Sequence, residues 1–290
     1  MESSRDYPRL VLRRLRSYGR SVTSRHRGYG EPATRRYRYH QNKRRHLRLY
    51  EPDAGRAPDR DVLTTIAKDG VAVIREFLPA DVAKQIEAEV RPSLEALAAN
   101  RYEGPLRTMI EEEPGLYRLY GIEESLSPSS RAFFDNAFLA DLANSMCRPG
   151  MHIRDRYVDY KAKSGGRDKN VDYHIDHWKL RFKAFFLLED VTEDQAPFVY
   201  LTGSHREQRW RRGLDWGYQH RGEEASILRP DEARKICMRY GLEERTYTGK
   251  AGDLIIADTR GIHRGNVLKT GTRLQLVQLY VMNGAEEYAC

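Results

Sequence analysis

Residues 170–180 read NVDYHIDHWKL and lead directly into the apolar run FFLLEDV at residues 185–191. The apolar run is typical of a buried strand, and charged groups beside it are costly to bury unless they are paired or bound to a metal. In an extended strand, residues i and i+2 point to the same face. His174 and Asp176 can therefore face one ion, while Ile175 and His177 point away. The stretch predicts a sheet that carries two metal ligands.

Short strands separated by Gly, Asp and Ser turns fill the chain from residue 152 onward. The segments with this texture are HIRDRYVDYKAK (152–163), KAFFLLEDV (183–191), APFVYLTGSH (196–205), DLIIAD (253–258) and TRLQLVQLYVM (272–282). This pattern is typical of an antiparallel sandwich or jelly roll. Upstream, residues 63–100 predict a helix, a strand and a second helix, with Val82, Ile86, Val90 and Leu94 on one stripe. Residues 131–146 predict further helix.

Composition places the chain among ordinary globular proteins. It has 290 residues, of which 40% are hydrophobic and 32% charged, enough for one or two domains. No run approaches the roughly 18 apolar residues of a membrane span, and the first residues lack the apolar region of a secretory signal. The three cysteines are widely spaced and odd in number, which favours reduced thiols over disulfides or a metal site. We expect a cytoplasmic protein.

The basic charge is concentrated at the N-terminus. Residues 1–50 hold 15 Lys and Arg against 3 Asp and Glu, whereas the remainder holds 35 against 39. This tail mixes Arg with Tyr and has few aliphatic residues, so it cannot bury enough apolar surface to order itself alone. We predict a basic extension and linker over residues 1–61 and a single domain over residues 62–290. Arg and Tyr suit phosphate contact and base stacking, but no nucleic-acid motif is present, and a solvated extension is the simpler interpretation.

Two residues near the C-terminus complete a candidate site. His263 follows the strand DLIIAD and the turn TRGI, where a bend can direct its ring towards His174 and Asp176. Two histidines and one carboxylate on one side of an octahedral metal form the facial triad of non-haem iron(II) oxygenases, which leaves three positions open. Arg273, ten residues further on, begins the last strand. A guanidinium entering a sheet interior needs a carboxylate; a bound 2-oxo acid or a structural ion pair would supply it.

Together these residues resemble the phytanoyl-CoA dioxygenase-like (PhyH) branch of the iron(II)- and 2-oxoglutarate-dependent oxygenases. The resemblance runs from about residue 62 to 283 and is carried by KDGVAVIREFLPADVAKQIEAEV, HID, APFVYLTGSHR and GDLIIADTRGIHRGNVLKTGTR. It implies a double-stranded β-helix, a cupin-like jelly roll. It also implies iron(II) bound by His174, Asp176 and His263, 2-oxoglutarate bound by Arg273, and O2 as the oxidant.

The chain departs from this family at several positions. Asp194-Gln195 stands where Asn-Gly is usual, and Thr202 where Pro is usual. Gly265 occupies a place that often carries a hydroxyl contact to the co-substrate, so we consider Tyr157 and Lys161, on the strand before HID, as substitutes. The halogenating relatives lack the carboxylate at the position of Asp176. Its presence here favours hydroxylation, or another oxidation without halide transfer, over halogenation.

Other polar residues are weaker candidates. His177 should face away from the metal, His205 suits a turn hydrogen bond better than ligation, and Trp178 fits a substrate wall and sheet packing equally well. The segment at residues 205–224 brings four arginines close together with two tryptophans, and a fifth arginine follows at residue 221. These four arginines could meet an anionic substrate or form a solvated helix face. These residues are Arg206, Arg209, Arg211, Arg212, Trp210 and Trp216.

The sequence therefore predicts an iron(II)- and 2-oxoglutarate-dependent dioxygenase that hydroxylates a small or medium-sized, possibly anionic, metabolite. Two alternatives stay open: a nucleic-acid-associated protein that uses the basic tail, and a catalytically silent metal-binding jelly roll. Nothing in the sequence indicates a membrane span or defines the oligomeric state.

Overall fold

The computed structural model describes residues 60–110, 115–147, 150–162, 172–206, 210–221 and 226–282. The chain divides into two units, one formed by residues 49–206 with 227–290 and the other by residues 1–48 with 207–226. Every element described below belongs to the first unit, except for one helix, α6. Residues 1–59 of the predicted extension at residues 1–61 lie outside the described residues. The assignment of the extension as a separate segment stays a prediction.

The helices are α1 (Arg60–Asp69), α2 (Ala80–Ala98), α3 (Ile122–Ser125), α4 (Arg131–Phe134), α5 (Ala137–Met146), α6 (Arg211–Arg221) and α7 (Pro230–Tyr240). The strands are β1 (Val71–Ile74), β2 (Thr108–Ile110), β3 (Leu116–Tyr120), β4 (Met151–Lys161), β5 (Arg181–Leu187), β6 (Phe198–Leu201), β7 (Glu244–Tyr247), β8 (Leu254–Asp258), β9 (His263–Gly265) and β10 (Arg273–Met282).

The strands form two antiparallel sheets. The larger one has the order β1-β8-β5-β10-β4-β3-β2 and the smaller one β7-β6-β9. Strand β5, which lies between β8 and β10, carries large apolar side chains on both faces because each face is covered. Phe185 on its inner face meets Phe198 of the small sheet, with ring centroids 5.3 Å apart. Phe186 on its outer face stacks at 5.3 Å on Phe133 of α4. The predicted mainly β jelly roll with flanking helices is confirmed.

Inner and outer residues alternate along the large sheet, and this alternation decides which side chains reach the site. In register, Lys183 of β5 lies beside Leu279 of β10, Phe185 beside Val277, and Leu187 beside Gln275. One strand further, Val277 lies beside Tyr157 of β4, while Gln275 lies beside Asp159 and Arg273 beside Lys161. Because the period along a strand is two, these residues share the face turned towards the small sheet.

Two sequence predictions differ from the structure in detail. Residues 131–146 form two helices rather than one, because Asn136 has an extended backbone and its side chain accepts a hydrogen bond from the backbone N–H of Phe138, capping α5. The buried stripe of α2 begins at Ala83, whereas Val82, which the sequence places on it, is only half-buried. Neither change alters the face that each helix packs against the sheet.

No helix within the described ranges combines the length and apolar character that a membrane span requires.

Candidate metal and co-substrate centre

Three side chains predicted as metal ligands meet between the two sheets. His174 Nε2 lies 3.8 Å from Asp176 Oδ1, and His263 Nε2 lies 3.4 Å from the same oxygen. The ligand atoms of all three residues lie within 4.8 Å of one another. Two imidazole nitrogens and one carboxylate oxygen facing a common point form the donor set of a 2-His-1-carboxylate metal site.

Backbone pairing fixes this arrangement. Residues 172–180 contain no regular strand, contrary to the sequence prediction, yet His174 pairs with His263 in an isolated antiparallel bridge. Each of the two backbones donates a hydrogen bond of 2.9 Å to the other, and the N–H of Asp176 donates to the carbonyl of Thr259 at 3.0 Å. The HID segment thus extends the small sheet beyond β9 and remains extended enough for residues i and i+2 to share a face.

Each histidine ring is oriented through its second nitrogen. Nδ1 of His174 lies 3.0 Å from the carbonyl oxygen of Asp172, and Nδ1 of His263 lies 2.8 Å from that of Gly261. A carbonyl can only accept, so both Nδ1 atoms carry the proton and both Nε2 atoms present a lone pair. Such hydrogen bonds set the tautomer and orientation of metal-binding histidines.

The turn that carries His263 depends on a glycine. A Cβ atom built on Gly261 would lie 1.7 Å from the hydroxyl of Tyr200, which is far inside van der Waals contact. That hydroxyl is buried and donates to the carbonyl of Asp258 at 2.9 Å. Only glycine therefore lets the chain turn close enough to Tyr200 to aim His263 at the other two ligands.

The protonation states of the site residues at neutral pH favour metal binding. Burial, and next the neighbouring His263, lowers the pKa of His174 to about 4, so its ring is neutral at neutral pH. Burial alone would raise the pKa of Asp176, but the positive charge of Lys183, with smaller effects from the two histidines, holds it well below its usual value. The site offers one carboxylate and neutral imidazole, the forms that bind metals.

Lys183 is a site residue that sequence reasoning missed. Its Nζ lies 2.8 Å from Asp176 Oδ2, and its side chain enters the interior from β5. The sequence signal for it is a lysine in the run KAFFLL, two residues before Phe185, so that both side chains point to the same face of the strand. That signal marks an inward charge but does not identify the partner, which lies across a loop.

A second charged cluster lies on the same face and surrounds Asp159. Arg273 Nη2 is 3.2 Å from Asp159 Oδ2, and Arg118 Nε of β3 is 2.8 Å from Oδ1. Gln275 also donates to Oδ2, at 3.2 Å. Burial would raise the pKa of Asp159, but Arg118, followed by Arg273, outweighs burial and lowers it. One carboxylate thus faces two guanidinium groups, which leaves a positive charge in excess.

The structural ion pair considered for Arg273 is therefore present, and Asp159 supplies it. It does not use the whole guanidinium group. Nη1 donates to the carbonyl of Ala196 at 2.5 Å, whereas the buried Nε meets no hydrogen-bond acceptor among the described residues. Arg273 retains a donor for a further anionic group.

Tyr157 lies between the two clusters. Its ring centroid is 5.1 Å from that of Tyr120, and the guanidinium of Arg118 lies over it at 5.0 Å. Burial raises the pKa of its hydroxyl to about 12, with the charges of Lys183, Arg118, Asp159 and Asp176 contributing less. Tyr157 therefore keeps its proton and can donate a hydrogen bond. Lys161, also buried, lies opposite Arg273 in the register of the sheet.

The remaining candidates stand apart from the metal cluster. The ring of His177 stacks on Trp178 at 5.6 Å, and its Nδ1 accepts from the backbone N–H of Lys179. His205 is buried and its Nε2 lies 3.1 Å from the carbonyl of Ala67, a bond between distant segments rather than within a turn. Gly265 lies in β9 opposite Phe198.

The arginine segment is described only in part. Residues 205–206 belong to the first unit and residues 207–224 to the second. Arg209 lies outside the described residues, and the side chains of Arg212 and Trp216 are not described. Arg211 forms an ion pair with Asp215 at 3.2 Å, and both side chains are buried. An arginine held by a neighbouring aspartate does not support the hypothesis of an anion-binding face.

Comparison with known proteins adds independent findings. The family model of phytanoyl-CoA dioxygenase (PhyH) matches residues 66–272. No curated protein sequence matches the chain. Similar solved structures include the non-haem α-ketoglutarate-dependent epimerase SnoN from nogalamycin biosynthesis, with 18% identity, a TM-score of 0.55, and coverage of 76% of this chain and 82% of that one.

Two further structures have a similar fold. EctD from S. alaskensis, solved with 2-oxoglutarate and 5-hydroxyectoine, has 19% identity and a TM-score of 0.58, covering 81% of this chain and 83% of that one. The non-haem α-ketoglutarate-dependent carbocyclase SnoK from nogalamycin biosynthesis has 14% identity and a TM-score of 0.55, covering 79% and 86%. At these levels of sequence identity, the comparisons with solved structures show similarity of the fold alone.

Proposed function

The chain belongs to the phytanoyl-CoA dioxygenase family of iron(II)- and 2-oxoglutarate-dependent oxygenases, and we propose that it hydroxylates a small or medium-sized metabolite. The observation that carries this proposal is the convergence of His174 Nε2, His263 Nε2 and Asp176 Oδ1 in an interior site. Both histidines are held in the tautomer that a metal requires.

The residues fit the metal and the co-substrate. We assign His174, Asp176 and His263 to iron(II), because three donors on one side leave positions for a chelating 2-oxo acid and for O2. We assign Arg273 to the distal carboxylate of 2-oxoglutarate, supported by its buried, unpartnered Nε and by the excess positive charge around Asp159. Tyr157 is assigned as a hydrogen-bond donor to the co-substrate.

Iron(II) held by these residues, with 2-oxoglutarate and O2, would supply the oxidising chemistry, with succinate and carbon dioxide as the co-products. This chain's residues hold the reactants in place, and the covered interior between the sheets limits water. Asp176 favours hydroxylation over halogenation, because its carboxylate occupies the position that a halide would need. The named functions of the similar structures include an epimerase and a carbocyclase, so the fold does not choose among oxidative outcomes. Asp176 argues against halide transfer alone, and hydroxylation is the outcome that we propose among those that need no halide.

The proposal is tested by anaerobic titration of the metal-free protein with iron(II) and then 2-oxoglutarate, followed by the visible charge-transfer absorption of the chelate. We expect a band in the wild type that Arg273→Ala weakens and Asp176→Ala weakens or shifts. Turnover of 2-oxoglutarate with O2 but without substrate then separates an active oxygenase from a silent metal-binding jelly roll. Absence of the band at saturating co-substrate would overturn the proposal.

The basic tail lies outside the described residues, and its possible association with nucleic acid stays a prediction. Binding through Lys and Arg weakens steeply as salt increases. If the tail binds nucleic acid, deletion of residues 1–50 should abolish this salt-dependent binding and leave turnover of 2-oxoglutarate intact.

A further inference from the structure

Lys183 places a positive charge beside a carboxylate that is assigned to a metal. It lies on β5, in register with Ala257 of β8 and Leu279 of β10, and points inward like Phe185 two residues later. Its Nζ lies 2.8 Å from Asp176 Oδ2, and its side chain is only 19% exposed. Because β5 lies between β8 and β10 in the large sheet, this lysine is held in the interior.

The two oxygens of Asp176 have different surroundings. Oδ1 faces His174 Nε2 at 3.8 Å and His263 Nε2 at 3.4 Å, whereas Oδ2 faces Lys183. Only Oδ1 therefore points to the place where the two imidazole lone pairs converge. One carboxylate oxygen thus faces the candidate metal position, and the other faces the ammonium group.

An ammonium group beside a metal ligand is electrostatically unfavourable for metal binding. The position of Lys183 therefore needs another explanation. A divalent metal by itself would compensate the buried charge of Asp176, and an ammonium group close to that metal repels it. Lys183 therefore weakens metal binding through its charge. What it contributes is a restraint on Oδ2, since a carboxylate whose second oxygen is free can bind a metal through both oxygens.

We propose that Lys183 is a positioning residue that keeps Asp176 a one-oxygen ligand and so preserves the third open coordination position of the metal. This inference rests on the proposed function, because it concerns the same site. A chelating 2-oxo acid needs two open positions and O2 needs one. A carboxylate that binds through both oxygens would occupy one of these three.

Manganese(II) makes the proposal measurable without turnover. The relaxation rate of water protons reports the number of waters on the bound ion, and three protein ligands leave three water positions on an octahedral metal. In Lys183→Met, Asp176 should bind through both oxygens, so the water-proton relaxivity of the manganese protein should fall by about one third. With saturating 2-oxoglutarate, the wild type should retain one water and the variant none.

Two variants serve as controls. Lys183→Arg keeps a charged donor next to Oδ2 and should preserve the wild-type relaxivity. Lys250→Met breaks an exposed Lys–Asp pair of 2.7 Å, with Asp190, and should also leave it unchanged. Should Lys183→Met fail to fold, Lys183→Leu removes the donor with a shorter apolar side chain and is expected to show the same loss of one water.

The outcomes separate the two proposals. Failure of the wild type to bind manganese would overturn the proposed function itself. Wild-type binding with equal relaxivity in Lys183→Met and Lys183→Leu would overturn only the role of Lys183. A folded Lys183→Met that no longer binds manganese would also overturn it, because Lys183 would then be needed to hold Asp176 in place at all.

Discussion

His174 and His263 exchange two backbone hydrogen bonds of 2.9 Å, and their ring centroids lie 4.5 Å apart. The pairing joins a loop before β5 to the first residue of β9. Because the Nδ1 atoms of both rings are occupied by carbonyls of their own segments, this backbone bridge brings the two Nε2 atoms together. The pairing with β9 therefore positions the candidate metal site.

Loss of the carboxylate should remove the metal. We expect Asp176→Ala to weaken manganese(II) or nickel(II) binding by more than about 100-fold, since even the partners of metal ligands contribute about 10–100-fold. Isothermal titration calorimetry of the metal-free protein measures this. His152→Gln, an exposed histidine away from the cluster, is the control. Equal affinities of wild type and Asp176→Ala would contradict the assignment.

Gly261→Ala should disturb both stability and metal binding. The added Cβ would lie 1.7 Å from the hydroxyl of Tyr200, and overpacking of this kind costs about 1–3 kcal/mol of unfolding free energy. Since His263 lies two residues later, metal affinity should also fall. Urea denaturation and metal titration measure the two effects.

A second substitution tests whether the clash is the cause. In Gly261→Ala combined with Tyr200→Leu, the smaller side chain gives the new Cβ room. The loss of stability should be smaller than the sum of the two single losses, because residues in contact do not act additively. Simple additivity would contradict the clash with Tyr200 as the cause.

Removal of the Asp159 carboxylate should leave the positive charge of the second cluster uncompensated. Asp159→Asn leaves Arg118 and Arg273 without their shared carboxylate, and breaking a buried ion pair costs about 3–5 kcal/mol. If Arg273 binds the distal carboxylate of 2-oxoglutarate, the co-substrate should restore part of this loss and raise the Tm of the variant more than that of the wild type.

The control for this prediction is Asp190→Asn. It breaks an exposed pair with Lys250, which should cost about 0–1 kcal/mol without changing the response to 2-oxoglutarate. An equal rise in Tm for wild type and Asp159→Asn would show that the co-substrate does not bind at this cluster.

The stabilisation by Asp159 should depend on pH in a defined direction. Its pKa is lowered in the folded protein by Arg118 and Arg273, against the effect of burial, so the unfolded state binds a proton more readily. The stabilisation is then fully present above the unfolded pKa of about 4 and is lost as pH falls through the lower folded value. The difference in unfolding free energy between wild type and Asp159→Asn should stay constant from pH 8 to 5 and narrow below about pH 4. Narrowing between pH 8 and 5 would contradict this.

The sequence by itself determined the elements and the candidate ligands. Alternation and apolar runs predict the strands because a sheet buried on one or both faces selects for them, and HID, His263 and Arg273 are recognisable because their spacing follows strand ends. The PhyH resemblance, which the family model confirms over residues 66–272, rests on the same local segments.

Only the tertiary structure decided which charges meet. Lys183 and Asp176 are joined across a loop, while Arg118, Asp159 and Arg273 come from three strands that are adjacent only in the folded sheet. A period of two predicts that these side chains face inward, but it does not predict strand order or register. Ion pairs between strands depend on both, because a shift of one residue would turn each side chain to the opposite face.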